Sequence, residues 1–379
     1  MRIVVVSRSW PSDERSGVSL AASEHVKMLL SEGHEVSIVG SFPSVVNENP
    51  QVSNKYCVSS HGSGALYSPA FVDRKHLSSI FIAEKPDLIV VEAWQTALTD
   101  AAIDIGFNMS LPVLMISHGV SLHKLSNSIF DILKAIAWIP YRFRLGSKIS
   151  KLSAITTLDF ESSSLRFYDR QVALKLGVPI VSLLNSPVNW MPNLNAVVER
   201  KSQVIVVGYY SPIKNQLRAI DLIRGLPNFL TFKFIGPKKG RYFKSCLKRV
   251  DNLGLGNRVS FNEDYEINIA EEISKSLMVL STSKTEVLPL ILLEAMASGT
   301  PFVATSVGAV SSLRAGIIAD DISSQRVAIS SLANDKYLWS RTSLIGRKEY
   351  ESRYSYESIS LNLEHAVKTA IKNSKEFYG

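Results

Sequence analysis

Short runs of branched aliphatic residues alternate with helical patterns along most of this chain. In the first half, such runs occupy residues 3–6, 36–39, 88–91, 113–116, 154–157 and 180–183. Continuous apolar runs of this length are typical of parallel strands that are covered on both faces. The first helix is predicted at 18–31, where an apolar stripe recurs at helical spacing and Gly33 ends it. The alternation therefore predicts an α/β fold with parallel sheets.

A change of composition divides the chain into two similar halves. Residues 185–195 are rich in proline and asparagine, which is typical of an irregular linker. The alternation then restarts, with strands predicted at 204–207, 231–235, 258–261 and 278–280 and helices at 215–224 and 240–253. Because 379 residues are too many for one compact core, we predict two domains, at 1–190 and 200–354, and a tail helix at 355–375.

The composition of the chain favours one cellular compartment and limits the classes of partner that the protein binds. No apolar run approaches the ~18 residues of a membrane span. The apolar start of the chain stops at Ser7 and Arg8, so it predicts a strand rather than a signal peptide. Cys57 and Cys246 are single thiols in separate halves, which favours a reducing cytoplasm. The net charge of +8 favours anionic partners such as nucleotide phosphates, a lipid surface or nucleic acid.

Two carboxylates separated by seven residues stand out between residues 283 and 301. Glu286 is predicted in a loop, and Glu294 in a helix that Pro289 begins and Gly299 ends. The neighbours of Glu294 are apolar, so this helix should be buried, where an ionised carboxylate is costly unless something bonds it. Such a pair at a helix N-terminus suits a polyhydroxylated, phosphorylated ligand. The alternative is a structural carboxylate that backbone amides satisfy.

This segment resembles the Glu-x7-Glu signature of the retaining GT-B glycosyltransferases of family 4, the glycosyl transferases group 1. The similarity continues through residues 299–308, which look like the family's strand and glycine turn. The resemblance implies that Glu286 contacts the sugar of a nucleotide-sugar donor at the catalytic centre, and that Glu294 holds the nucleotide ribose. Leu288 and Leu290, on either side of the proline, are further predicted donor-binding residues.

The same resemblance implies a GT-B fold, with two facing Rossmann-like domains and a cleft between them. The first domain would take the acceptor and the second the donor, and the tail helix would cross back onto the first. The implied reaction moves a hexose from a nucleotide diphosphate to an acceptor hydroxyl with retained configuration, in bacterial surface polysaccharide or glycolipid assembly. Two other classes stay open: a sugar-nucleotide epimerase of this fold, and a non-catalytic basic scaffold that binds membrane or nucleic acid.

A lysine follows the first strand of the second half. Within residues 208–216, Ser211 is predicted to cap a helix and Lys214 to lie in its first turn. A cation there opposes the helix dipole, which favours a phosphate in front of the helix over a solvated lysine. The segment resembles the family's diphosphate-binding loop, with Lys214 and Asn215 at the matching positions. The family's arginine is Tyr209 here, so one phosphate-binding charge is missing.

Two positions in the first half resemble family motifs. Gly17 lies between the first strand and the first helix, like the family's glycine loop, although the family usually has two adjacent glycines. The alternative is an ordinary strand-to-helix turn. His118 ends a strand, at the edge where open α/β sheets bind ligands. It resembles the family's His-Gly motif, which implies a catalytic histidine beside the donor phosphate and sugar; the alternative is a packing histidine.

Residues 127–152 mix aromatic and aliphatic side chains with lysine and arginine, and Asp131 is their one acidic residue. Basic amphipathic helices lie on anionic bilayers. The alternative, a core helix with a solvated basic face, fits the pattern equally well. We predict a saccharide or lipid-linked saccharide acceptor near an anionic membrane surface, for a cytoplasmic protein that attaches peripherally to the inner face of the membrane.

Metal and cofactor motifs are missing from the sequence. The cysteines lack partners at ligand spacing, and we predict no carboxylate companion for His118 or His123. The chain has no Asp-x-Asp, Walker loop or Gly-x-Gly-x-x-Gly. We therefore predict a metal-independent enzyme without a cofactor, whose substrate is a nucleotide sugar and which does not bind nucleic acid.

Overall fold

The computed structural model describes residues 1–14, 16–120, 129–158, 168–183, 200–263 and 268–378, without the side chains of 129–131, 134 and 375–378. Residue contacts divide the chain into two units. Unit 1 comprises Met1–Val188 and Tyr356–Gly379, and unit 2 comprises Asn189–Ser355. The linker predicted at 185–195 and His123 lie outside the described residues.

The described strands of unit 1 form one parallel sheet and one small ribbon. The sheet strands are β1 (Arg2–Val6), β2 (Glu35–Gly40), β3 (Lys55–Cys57), β6 (Leu88–Glu92), β7 (Val113–Ile116), β8 (Ala154–Thr157) and β9 (Ile180–Ser182). Their order is β3-β2-β1-β6-β7-β8-β9. The antiparallel ribbon pairs β4 (Ser60–His61) with β5 (Phe71–Val72). All five residues of β6 are buried, as expected for a strand with both faces covered.

The helices of unit 1 are α1 (Gly17–Ser31), α2 (Arg74–Glu84), α3 (Ala97–Asn108), α4 (Ile129–Ala137), α5 (Ile139–Ile149), α6 (Tyr168–Leu176) and the tail helix α13 (Tyr356–Tyr378). Ser16 caps α1, because its hydroxyl accepts a hydrogen bond from the backbone amide of Ser19 at 3.2 Å. The tail helix is fastened to unit 1 by Glu364, whose carboxylate lies 2.9 Å from His34 Nε2.

The described part of unit 2 is a second parallel sheet with its own helices. Its strands are β10 (Lys201–Val207), β11 (Thr231–Ile235), β12 (Val259–Asn262), β13 (Ser276–Ser281), β14 (Phe302–Ala304) and β15 (Gly316–Ile318), in the order β12-β11-β10-β13-β14-β15. Its helices are α7 (Gln216–Ile223), α8 (Gly240–Asn252), α9 (Ile269–Lys275), α10 (Leu290–Ala297), α11 (Ile322–Asn334) and α12 (Lys336–Arg353).

Each sheet has one point at which the strand order reverses. In unit 1 this point lies between β1 and β6, and in unit 2 between β10 and β13. Open α/β sheets bind ligands outside the carboxyl ends of the strands at such a point. The segments that follow these four strands are therefore the places where each unit is expected to hold a ligand.

The α/β class with parallel sheets is confirmed, and the local predictions for the start of the helix near Lys214 are wrong. The helix predicted at 215–224 begins one residue later, because Asn215 has a left-handed φ of 56°. Ser211 therefore does not cap it. The basic segment at 127–152 contains two helices, α4 and α5, which are separated at Trp138, with Pro140 in the first turn of α5.

Candidate active site

The loop after β10 and the loop after β13 meet through an ion pair in unit 2. Lys214 Nζ lies 2.6 Å from Glu286 Oε1, and both side chains are largely covered. Lys214 belongs to a single turn, in which its backbone amide donates to Ser211 Oγ at 3.2 Å. The amide of Asn215 donates to the Ser211 carbonyl at 2.9 Å. A cation and a carboxylate thus stand together where the strand order reverses.

The lysine loop is held by a buried amide and by the neighbouring strand. Gln216 Nε2 donates to the carbonyls of Gly208 and Tyr209, at 3.3 and 3.0 Å. The hydroxyl of Thr282 donates to the Asn215 carbonyl at 2.9 Å. Because these bonds fix the backbone on both sides of Lys214, its position does not depend on its ion pair alone.

The loop that carries Glu286 rests on the glycine turn after β14. Gly308 has a φ of +57°, and a Cβ added there would come within 2.2 Å of the Glu286 carbonyl oxygen. The amide of Ala309 donates to the Val287 carbonyl at 2.8 Å. Any side chain at Gly308 would push the Glu286 loop away, so this glycine fixes where the carboxylate stands.

Glu294 lies on the side of α10 that the core does not cover. Leu290, Ile291 and Glu294 share one helical stripe and stay partly accessible, whereas Leu292 and Leu293 are buried. Within the described part of the chain, the Glu294 carboxylate has no hydrogen-bond or ion-pair partner. Desolvation raises the pKa of Glu294 to about 7. Backbone amides, the structural alternative, do not satisfy this carboxylate among the described residues.

The remaining predicted donor residues of unit 2 differ in exposure. Leu288 is buried and Leu290 is partly accessible. The prediction that Lys214 lies in the first turn of the helix is wrong, because Lys214 precedes α7. Tyr209, at the position of the family's arginine, is exposed, and its ring centroid lies 5.9 Å from Lys214 Nζ. The backbone of a second lysine adjoins this turn: the amide of Lys284 donates to the Ile213 carbonyl at 2.8 Å.

The two predicted residues of unit 1 lie at the carboxyl edge of its sheet. Gly17 opens α1, and no described atom lies within 4 Å of the Cβ that a larger residue would place there. His118 follows β7, and its Nε2 lies 2.8 Å from Glu92 Oε2. The other oxygen of Glu92 lies 2.8 Å from His25 Nδ1. Sequence reasoning missed both Glu92 and His25; the available signal was a carboxylate that ends an apolar strand.

The basic aromatic segment of unit 1 has both buried and exposed apolar side chains. Helix α5 buries Tyr141 and Leu145, while Phe143 is 83% exposed. Of the residues named for this segment, Phe130, Asp131 and Lys134 have side chains outside the described part. The other basic residues include Arg142, whose guanidinium lies 4.9 Å from the Tyr168 ring centroid. Among the described helices, none has the length and apolar composition that a bilayer crossing requires.

A cavity of about 440 Å³ lies between α3 and α5. Four cations and two carboxylates line it: Arg74, Arg144, Lys148, Lys151, Asp100 and Asp104. Burial raises the pKa of Asp100 to about 6, against the attraction of Lys148. Arg74, Lys148 and Lys151 form ion pairs with these carboxylates, at 2.7 to 3.8 Å. Neither in this cavity nor in the rest of the described residues is there a group of three or more His, Cys, Asp or Glu side chains that could hold a metal ion.

Comparison with solved structures identifies the fold class. Anabaena HepE in complex with UDP is similar with a TM-score of 0.72 and 16% identity, covering 97% of this chain and 100% of that one. A glycosyltransferase from Rickettsia africae gives a TM-score of 0.73 and 14% identity, covering 98% of each chain. TarM from S. aureus gives 0.70 and 12%, covering 96% of this chain and 99% of that one. The predicted GT-B fold class is confirmed.

Comparison with family models gives a match to one segment of the chain, and this segment includes the candidate site residues of unit 2. Residues 192–315 match the family described as glycosyl transferases group 1. The match contains Lys214, Glu286 and Glu294, together with the glycine turn at Gly308. No curated protein sequence matches the chain.

Proposed function

We propose that this protein is a glycosyltransferase that moves a hexose from a nucleoside-diphosphate sugar to an acceptor hydroxyl, with retention of the anomeric configuration and without a metal ion. One observation carries the proposal. Unit 2 holds the Lys214–Glu286 pair at 2.6 Å and the unpaired Glu294 within the segment that matches glycosyl transferases group 1. A lone, partly accessible carboxylate on an otherwise apolar helix needs a partner that the described residues do not supply.

Each of these groups suits one part of such a donor. As the glycosidic bond breaks, negative charge develops on the leaving diphosphate, and Lys214 and the first amides of α10 stabilise it. Glu286, paired with Lys214, accepts hydrogen bonds from sugar hydroxyls beside the phosphate. Glu294 has two oxygens without partners among the described residues, which suits the two hydroxyls of a ribose. His118, at the carboxyl edge of the unit 1 sheet, is the catalytic histidine of this proposal.

The experiment that tests this proposal is a donor panel. Similar structures include Anabaena HepE with UDP and with UDP-glucose, so uridine nucleotides are tested first, followed by guanosine and adenosine diphosphate sugars. We expect calorimetric binding of one nucleoside diphosphate, and release of that diphosphate when the matching sugar donor and an acceptor are both present. NMR of the product should show the donor's anomeric configuration. Isomerisation of the donor without acceptor would instead identify an epimerase.

We also propose that the acceptor is lipid-linked and that unit 1 docks reversibly on an anionic membrane. The exposed side chains of Leu66, Tyr67, Ile139 and Phe143 support this. We call these four residues the apolar ridge. The amide of Leu66 donates to the Ala137 carbonyl at 3.0 Å, which joins the turn carrying Leu66 and Tyr67 to the end of α4. Exposed apolar groups together with cations such as Arg144 suit an interfacial surface.

Vesicle co-sedimentation across a salt series tests the membrane proposal. The protein should pellet with anionic vesicles at low salt and less at high salt, because each cation near the surface contributes about 1 kcal/mol that salt screens. Phe143→Ser and Arg144→Glu should each reduce pelleting. Tyr337→Ser removes an equally exposed aromatic side chain from unit 2 and serves as the control. Equal pelleting of all variants, or none with either vesicle type, would place the acceptor in solution.

A further inference from the structure

Two imidazoles share one buried carboxylate at the carboxyl edge of the unit 1 sheet. Glu92 ends β6, next to the point where the strand order reverses, and its side chain is fully covered. His25 comes from α1 and His118 from the turn after β7, each with a ring nitrogen 2.8 Å from a different oxygen of Glu92. The two ring centroids lie 6.4 Å apart. Three elements thus converge on one carboxyl group.

The charge of Glu92 fixes the hydrogens of both rings. Burial alone would raise the pKa of Glu92, but the attraction and hydrogen bonds of His25 and His118 outweigh it and lower the pKa to about 2. At neutral pH the carboxylate is therefore ionised and only accepts hydrogen bonds. In its neutral form, His25 must then carry its hydrogen on Nδ1, and neutral His118 must carry its hydrogen on Nε2. Within the described part of the chain, Nδ1 of His118 is left without a partner.

A second buried carboxylate holds the backbone of the same turn. Asp169 on α6 accepts a hydrogen bond from Trp94 Nε1 at 2.8 Å and another from the hydroxyl of Ser117. The Ser117 oxygen in turn accepts from the amide of Gly119 at 3.1 Å. The side chain of His118 is thus fixed by Glu92, and the backbone around it by Asp169. A histidine that only fills space in a core has no need of two such supports.

We propose that Glu92 is a positioning residue for His118: it holds the ring in the tautomer with hydrogen on Nε2, so that Nδ1 accepts a hydrogen bond from a substrate hydroxyl. His25 occupies the second oxygen of Glu92 and keeps that carboxylate aligned. The inference rests on the proposed glycosyltransferase function. It concerns unit 1, whereas the nucleotide-binding residues of that proposal lie in unit 2.

Replacing Glu92 by glutamine gives a specific chemical expectation. An ionised carboxylate accepts from both imidazoles, whereas the glutamine amide has one accepting oxygen and one donating nitrogen. One of the two rings must therefore change its tautomer or lose its hydrogen bond. Transfer should fall roughly 10–100-fold in kcat, by analogy with the loss that follows when the outer-shell partners of metal-binding histidines are removed. Glu92→Asp keeps the charge and should recover part of the loss.

A double-mutant cycle separates positioning from packing. If Glu92 acts through His118, the two effects should not add, and Glu92→Gln should cost less than about twofold once His118→Ala is present; a residual of ~0.5 kcal/mol is the scatter that independent sites already show. Glu84→Gln is the matched control, because Glu84 is a unit 1 carboxylate that accepts hydrogen bonds from Ser37 and Asn54. It should leave kcat unchanged. An equal loss from Glu92→Gln with and without His118 would make Glu92 a packing residue.

NMR tests the geometry independently of transfer. In protein labelled with ¹⁵N-histidine, and assigned with His25→Ala and His118→Ala, the wild-type His118 ring should show hydrogen on Nε2. Glu92→Gln should change the signals of His25 or His118 while nucleotide binding by unit 2 persists. Unchanged signals of both rings would overturn the inference and leave the proposed function standing. A wild type that binds no nucleotide would refute the proposed function, while the NMR result would still decide the role of Glu92.

Discussion

At the scale of single residues, Glu294 is the side chain whose presence in the helix the stability of the fold explains least. Most of its surroundings are apolar, and no described side chain or amide bonds its carboxylate. Desolvation therefore raises its pKa to about 7, which means that ionised Glu294 destabilises the folded protein. A group that reduces stability without a structural partner is typical of a ligand site.

Glu294→Gln should stabilise the ligand-free protein, and more so at high pH. A carboxyl group with a raised folded-state pKa retains its proton when the unfolded chain has lost its own. The wild type therefore loses stability as pH rises from 4.5 to about 7, whereas the variant does not. We expect the variant to be more stable at pH 8 by about 1–3 kcal/mol, measured by urea unfolding. An equal difference between the two proteins at pH 4.5 and pH 8 would contradict this origin of the effect.

Lys284 is the exposed cation that we expect to replace the arginine missing at Tyr209. Its amide is bonded to Ile213, next to the Lys214 turn. Lys284→Ala should weaken binding of a nucleoside diphosphate about fivefold, close to 1 kcal/mol for an exposed charge pair, and leave binding of the nucleoside unchanged. Lys244→Ala, an exposed lysine on α8, is the control. Equal losses for both ligands would show that Lys284 does not touch phosphate.

The candidate site residues that lie close together in sequence could be selected from the sequence and stay a prediction, whereas those that the sheet brings together could not be selected. The spacing of Glu286 and Glu294, with a proline between them, is by itself enough to indicate a ligand site. His25, Glu92 and His118 are spread over almost a hundred residues and meet only because β1, β6 and β7 are neighbours in the sheet. No local pattern encodes that adjacency, so sequence alone selected His118 without its partners.

At the scale of elements, the glycine turn after β14 should control donor binding. Gly308→Ala places a Cβ 2.2 Å from the Glu286 carbonyl oxygen. Gly254→Ala has a similar positive φ, but no described atom lies within 4 Å of its Cβ. Both variants should lose about 1–2 kcal/mol of stability from left-handed strain, measured by urea unfolding. Only Gly308→Ala should also lose nucleotide-sugar affinity; an equal affinity loss in both would make the turn irrelevant to Glu286.

Most strands were predicted because their apolar runs are continuous, whereas three short strands and helices such as α3 and α12 were not. Apolar runs such as 88–91 and 231–235 lie in observed strands. The short strands β3, β4 and β5 have two or three residues each and carry no period that a sequence reveals. The start of α7 was misplaced because Asn215 adopts a left-handed conformation, which asparagine tolerates but its sequence context does not announce.

At the scale of the whole molecule, the two units differ in how closely their sequences resemble those of known proteins. The whole segment that matches glycosyl transferases group 1 belongs to unit 2. Unit 1 is related to solved structures by fold, at low sequence identity. This difference explains why the donor side of the proposal rests on specific residues, whereas the acceptor side rests on the apolar ridge and a net charge of +8.

The central claim is that unit 2 binds a nucleoside diphosphate through Lys214 and Glu294 without a metal ion. Calorimetry with UDP, GDP and ADP, each compared with its nucleoside in the presence of EDTA, tests it most directly. We predict that one diphosphate binds the wild type. Lys214→Ala should weaken the diphosphate more than its nucleoside, and Glu294→Gln should weaken both about tenfold or more, the loss expected for a charge-assisted hydrogen bond. Binding of none of the three nucleotides, binding only after Mg²⁺ or Mn²⁺ is restored, or unchanged affinities in both variants would contradict the account.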